Sequence, residues 1–340
     1  MFELKLWIQR RVYKFRLRKN QETVSSQVHD KSASSVIIFG MLKLLLLCLF
    51  GAIILFPFVL MILMSFMSDS EIEAIRVQSR LLPSFGPGKS YVLGVGNQFI
   101  ESWGDVVKNT YSRAAASGYF NALLLTVLNV VISIVLKIFV TFFMGYAFSL
   151  KNWRGKNLAW FIALSLLVLP EVALLSGQYI VVLRSGLTKT YLGFILAVAF
   201  PFTASIFNAT MYKNAFETIP GRIKEVSLID GAGGAKYLFK IAFPMVVPTT
   251  LTIVILTSLV SWNAYLWPSI IETIGGEKHQ VLSVWLFNAG LDKDHPDAPR
   301  LENIRMAANI MSLLPMFVAF LIFRRRIMAA ISRQGSTIKG

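Results

Sequence analysis

The sequence predicts an all-α membrane protein, a polytopic bundle of six transmembrane helices, and three observations predict it. Of 340 residues, 55% are hydrophobic and 15% charged, whereas a soluble domain runs near 45–50% apolar and about 25% charged. Six stretches meet the roughly 20 mostly apolar residues needed to cross a ~30 Å hydrocarbon core. Basic residues are spread unevenly over alternate connections, as they are in membrane proteins. A net charge of +16 would suggest nucleic acid in a soluble chain. Here its position assigns it to topology and to contact with anionic membrane lipid, so no nucleic-acid partner is expected. One cysteine, Cys48, and three scattered histidines, His29, His279 and His295, leave no disulfide framework and no metal cluster of usual spacing.

Residues 1–35 read as a basic cytoplasmic arm, with Leu4, Leu6, Trp7, Ile8, Val12, Phe15 and Leu17 interleaved with Arg and Lys. That pattern suits a helix lying on the inner leaflet, and Gln21–Ser35 reads as a linker. The first span, Val36–Met67, is too long for a signal-peptide core and lacks a small-residue cleavage site, so it is read as retained. Residues 68–118 form an external loop with Pro83, Gly86, Pro87 and Gly88 at its centre and Tyr91, Phe99 and Trp103 beyond. It is either a small external structure that touches a partner or a passive lid. A core over 119–323 holds the other five spans, Tyr119–Leu150, Asn157–Leu183, Tyr191–Met211, Pro244–Ile271 and Ile304–Phe323. A tail over 324–340 follows, anchored by Arg324-Arg325-Arg326. None of these stretches alternates as a barrel strand would.

The arm, the tail and the connections at 149–156 and 212–243 carry 21 Lys and Arg; the connections on the opposite side carry 10, together with 11 of the 18 acidic residues. The positive-inside rule then puts both termini in the cytoplasm, consistent with six spans.

The connection from Lys213 to Pro244 is the most informative segment. An antiparallel helix turn takes 2–8 residues, and this one takes 32. Thr218 and Pro220 signal a helix start, and Ile223, Val226, Leu228 and Ile229 give one short helix its apolar positions. Asp230-Gly231 and Gly233-Gly234 are turn signals. Tyr237, Leu238, Ile241 and Ala242 then supply a second short helix, and Pro244 and Pro248 begin the next span. Such a ledge either docks into a groove on a soluble partner or rests on the lipid headgroups.

EVSLIDGA, followed by a proline fourteen residues after Asp230, resembles the EAA loop of permease subunits of binding-protein-dependent ABC importers. Glu225 matches the motif's glutamate and Asp230-Gly231-Ala232 its Asp-Gly-Ala. Val226-Ser227 stand in place of Ala-Ala, and Leu238 stands where an aromatic is usual. SWNAYLWPSII at 261–271, the segment Tyr119–Lys156 and the closing QGSTIKG are similar to the carbohydrate-type permeases related to the smaller maltose-permease subunit. The resemblance covers roughly Tyr119–Gly340 and implies a type I importer permease of a bacterial inner membrane. It also implies a second permease subunit, two ATPase subunits that bind ATP and Mg, and an extracytoplasmic solute-binding protein. Glu225, Asp230, Gly231 and Ala232 would couple to the ATPase. The chain has no G-x-x-x-x-G-K-[ST] run, so hydrolysis is assigned to a partner, and no catalytic residue or cofactor is expected in this chain.

Ionisable and amide groups inside spans mark functional positions by default. Glu171, after Pro170, either lines the translocation path or caps a broken helix. Trp262 and Asn263 offer a sugar an aromatic face and an amide, and Asn309 is the similar position of the last span; the bland alternative is an interhelical hydrogen bond. Lys137 and Arg305 snorkel or pair, and Trp267-Pro268 would mark the outer interface. The competing functions are a secondary transporter or channel, which would show several buried acids or paired broken helices, and a membrane enzyme, which would need convergent catalytic groups. Within the importer reading the cargo is a sugar or oligosaccharide, with glycerol-3-phosphate or another polyol as the alternative.

Overall fold

A computed structural model describes residues 7, 9–14, 33–75, 82–92, 96–151, 153–276, 279–291 and 300–336. The arm's Leu4, Leu6, Ile8, Phe15 and Leu17, the linker from Gln21 to 32 and the closing 337–340 lie outside the described residues. Residues 9–14 are helical, and the Arg11 guanidinium lies 4.7 Å from the Trp7 ring centre. The chain divides into two compact units, residues 1–60 and 61–340.

The long helix α1 is Ala33–Ser65. From Ile37 to Val59 its large apolar side chains are exposed on every face, the pattern of a helix solvated by lipid or by another protein.

After α1 comes a cap. Helix α2, Asp69–Ile75, opens on Ser68. The Ser68 hydroxyl accepts the Glu71 backbone N–H at 3.3 Å, and the Glu71 carboxylate accepts the Ser68 N–H at 2.9 Å. This reciprocal capping box satisfies two otherwise orphaned donors. Strands β1, Gly88–Val92, and β2, Gly96–Ile100, pair antiparallel with Gly88 opposite Ile100. Helix α3, Trp103–Ala114, runs through a π-turn at Ala115–Tyr119 into α4, Phe120–Ser149. Gly118 supplies the positive φ of 105° at that turn, a backbone setting other residues resist. The cap is therefore a folded structure of two helices and a hairpin.

Helix α4 has opposite faces. Phe120, Leu124, Val127, Val131, Val135 and Phe139 are exposed, whereas Thr126, Asn129, Ser133, Lys137, Thr141 and Gly145 are buried. Both sets recur every three to four residues, so one face meets lipid and the other meets protein. Lys137 is 7% exposed and thus packed inside the bundle rather than reaching for headgroups.

The third and fourth spans are bent pairs. Helix α5, Lys156–Ser165, and α6, Glu171–Ser185, meet at 100° across a break that contains Pro170. Helix α7, Tyr191–Ala199, and α8, Ile206–Glu217, meet at 64° across a 3-10 turn containing Pro201. A proline without an N–H ends a hydrogen-bond ladder, which accounts for both bends. Ser205 caps the start of α8 by accepting the Asn208 N–H.

Helix α9 is Gly221–Ile229, and α10, Ala235–Tyr237, passes through a π-turn at Leu238–Ala242 into α11, Phe243–Asn263. The expected second ledge helix is thus the lower end of the fifth span, one apolar run of 29 residues from Ala235 to Asn263. A wider π-turn just before Pro244 moves the Lys240 carbonyl, which would otherwise strike the ring, out of the way.

The fifth span also ends earlier than expected. Ala264 is extended, and α12, Leu266–Gly275, starts afresh. Restarting puts Pro268 at the third helical position, where a missing N–H costs no hydrogen bond. The freed Ala264 carbonyl accepts the Ser283 hydroxyl at 2.5 Å. Helices α13, Leu282–Asn288, and α14, Glu302–Ser336, complete the chain. The tail from Arg324 to Ser336 continues α14. Among the described residues, four helices can cross a membrane by length and composition, or six if each bent pair is one span.

Three buried clusters hold the second unit. One joins α4, α6, α7 and α12 through Leu125, Val182, Phe194, Trp267 and Ile271. Another joins α3, α13 and α14 through Ala114, Trp285 and Ala307, and the third joins α4, α8 and α11 through Phe142, Tyr212 and Ile253. Trp267 is 6% exposed, and its indole donates to the Ala197 carbonyl at 3.0 Å. It is a core residue, not the interface marker its apolar surroundings suggested.

Candidate functional site

The ledge around α9 brings most of the motif together. Pro220 begins the helix, and its end is a Schellman motif: the Ala232 N–H donates to the Ser227 carbonyl at 2.7 Å and the Gly231 N–H to the Leu228 carbonyl at 3.1 Å. Gly231 sits at the left-handed position with φ of 67°, which explains glycine there. Asp230-Gly231-Ala232 is therefore the helix stop: last half-helical residue, left-handed glycine, inward-turned alanine.

The stop sorts the four residues by direction. Ser227 and Ala232 are buried, whereas Glu225, Asp230 and Gly231 are exposed. Val226 and Leu228 are more than half exposed and Ile229 is 85% exposed. An apolar ridge bordered by two carboxylates thus faces away from the protein. Farther along the chain Tyr237 and Leu238 belong to the cluster of Phe142, Tyr212 and Phe216, in which the Phe142 ring meets Tyr212 and Phe216 edge to face at 5.5 and 5.3 Å. Ala232, 7% exposed, is turned inward rather than toward the outward face.

The expected path residues sit in different surroundings. Asn263 is exposed at the end of α11, and its amide donates to the Leu259 carbonyl of its own helix at 2.8 Å. Trp262 is half-buried against the Tyr119 and Trp285 cluster. Asn309 is half-buried in α14, with its amide 3.7 Å from the Met306 sulfur. Glu171 opens α6 directly after Pro170, and its side chain lies outside the described residues. Arg305 pairs with Glu302 at 3.6 Å and lies 5.8 Å from the Phe287 ring centre.

Two polar groups escaped the sequence reading. On the buried face of α4, the Asn129 amide donates to the Ser261 hydroxyl at 3.0 Å, and the Thr126 hydroxyl accepts the Leu282 N–H at 2.7 Å. The three-to-four spacing of Thr126, Asn129, Ser133, Lys137 and Thr141 within an apolar run was the available signal. At the cap, Asp69, Arg113 and Asn303 form a buried cluster from three distant segments, and no local pattern announces it.

Comparison with known proteins follows from this geometry. Residues 137–333 match the family described as binding-protein-dependent transport system inner membrane component. A Mycoplasma pneumoniae protein named as a probable ABC transporter permease is 38% identical over 330 residues, spanning 95% of this chain and 96% of its own length. A Thermoanaerobacterium thermosulfurigenes protein named as a probable permease for transport of starch degradation products is 26% identical over 66% of this chain and 78% of its own. Among solved structures, a bacterial ABC transporter involved in the import of the acidic polysaccharide alginate has a chain that superposes with a TM-score of 0.64. That likeness covers 87% of this chain and 99% of the other at 21% identity, a likeness of fold.

Proposed function

Because this chain belongs to the binding-protein-dependent transport system inner membrane components and is a permease of an ABC transporter with the type I fold, we propose that it moves a sugar or oligosaccharide inward across a bacterial inner membrane. Permease relatives named for starch degradation products and arabinooligosaccharides support the cargo class. The chain supplies half of the translocation path, and a second permease subunit supplies the rest. Two ATPase subunits, which bind ATP and Mg, sit beneath it, and an extracytoplasmic solute-binding protein delivers the cargo to the cap side. Both termini are cytoplasmic.

The observation that carries the coupling role is the outward apolar ridge of α9, bordered by Glu225 and Asp230. Val226, Leu228 and Ile229 supply surface for burial in an ATPase cleft. Glu225 and Asp230 supply carboxylates for basic partners at its rim, and Gly231 sets the angle at which the ridge leaves the bundle. Trp262, Asn263, Asn309 and Glu171 are the proposed contacts along the path, the first two offering a sugar ring face and an amide.

Copurification with the neighbouring subunits tests this reading. The chain should carry an ATPase through purification, and replacing Gly231 with Leu should abolish cargo-stimulated hydrolysis, since leucine resists a positive φ. Uptake of labelled oligosaccharides, compared with glycerol-3-phosphate, identifies the cargo class. Transport that proceeds undiminished in liposomes without nucleotide would refute the importer reading.

A further inference from the structure

We propose that Asp69, Arg113 and Asn303 are positioning residues that lock the cap to the head of α14, so that a load on the cap reaches the last span as rigid motion. The proposal rests on the permease reading above, in which a soluble protein docks on the cap side. Three segments far apart in sequence meet at one carboxylate. Asp69 accepts the Arg113 guanidinium at 2.7 Å on one oxygen and the Asn303 amide at 2.6 Å on the other. The same amide donates to the Met67 carbonyl at 3.2 Å. Met67 and Asp69 follow the first span, Arg113 lies on the helix that leads into the second, and Asn303 is in the first turn of the sixth.

Burial makes this more than a surface clasp. Asp69 is 2% exposed and Asn303 fully buried. A carboxylate withdrawn from water is tolerated only while its charged and hydrogen-bonded partners hold. The Asn303 amide oxygen is buried without a partner. The amide stays in this sense because flipping it would set its oxygen against the Asp69 carboxylate and the Met67 carbonyl. Asn303 thus serves as a double donor joining the end of the first span to the sixth. Neighbouring bonds tie α3 to the same end of the first span: Tyr111 and Ser65 hydroxyls meet at 3.1 Å, and the Trp103 indole donates to the Phe66 carbonyl at 3.2 Å. Above the lock, an open groove of about 420 Å³ between β2 and α3, with Phe99, Glu101, Asp105 and Lys108 on its walls, is where a docked protein would press.

The test is a distance measurement by paired spin labels in the assembled complex, with Cys48→Ser removing the native thiol. One pair joins the cap to the sixth span through Lys108→Cys and Leu313→Cys; a reference pair joins Lys108→Cys to Val260→Cys on the fifth span. Between the nucleotide-free and ATP-trapped states the first distance should change by less than about 2 Å, and a shift of about 5 Å or more would overturn the lock. Asn303→Asp, the same shape with a repelling charge, and Asn303→Leu, which removes the donors and adds no charge, should each broaden that distance. Both should lower binding-protein-stimulated hydrolysis about ten-fold or more while basal hydrolysis stays within about two-fold. Arg113→Lys, which retains the charge, should keep most of the stimulation. Stimulation unchanged in both Asn303 variants overturns the proposal. An unlabelled complex with no stimulated hydrolysis at all overturns the permease reading instead.

Discussion

At Gly145 two spans come close together. A Cβ built there would lie 2.4 Å from the Tyr212 Cβ and 2.8 Å from the Ala209 carbonyl, so α4 and α8 approach backbone to backbone as small residues allow in membranes. Gly145→Val should cost about 1–3 kcal/mol by overpacking, read as a lower melting temperature of the chain in detergent. Glu71 makes a pH prediction for the cap. Burial raises its pKa, but hydrogen bonds from Ser84 and Ser68 outweigh burial and hold it below the ordinary carboxylate value. A lowered folded-state pKa means its contribution is complete above the ordinary range of about 4 and is lost as pH falls through the lowered value. Exchange protection of the Ser68 and Ser84 amides should therefore weaken on acidification, and Glu71→Gln should remove that dependence. Gly231 shows what one residue discloses in sequence: a glycine after Asp at a helix end already announces a left-handed stop. Ala232 shows the limit, since its inward direction follows from how the chain turns back after the stop and from no property of alanine.

At the scale of elements, α9 is a short helix closed by its Schellman stop. Ile229→Glu should leave the fold intact, because that side chain is 85% exposed, yet it should prevent copurification of the proposed ATPase. Unchanged recovery of the ATPase would remove the ridge from the proposed interface. Helices were legible from apolar runs, and their ends much less so. The fifth span was expected to reach Ile271, because 244–271 is mostly apolar and carries no charge. Hydropathy cannot register that the Ala264 carbonyl finds Ser283, nineteen residues away, and so permits a break. The second ledge helix was misjudged for the converse reason: Pro244 looked like a barrier, and a π-turn carries the helix past it.

For the whole molecule, the proposed topology makes a direct prediction. A green fluorescent protein fused after Gly340 should fluoresce, as it does in the cytoplasm, and alkaline phosphatase inserted at Phe85 in the cap should be active outside. The reverse pattern would invert every assignment of cytoplasmic and external surface made above. Membrane class, the six apolar runs, the basic bias and the Asp-Gly-Ala helix stop were determined by sequence alone, because each is a property of composition or of residues a few positions apart. Tertiary structure alone decided that the ridge of α9 faces outward while Ala232 faces inward, that Trp267 is core, and that Asp69, Arg113 and Asn303 share a site. Those are contacts between segments up to 234 residues apart, and only folding brings their partners within reach of one another.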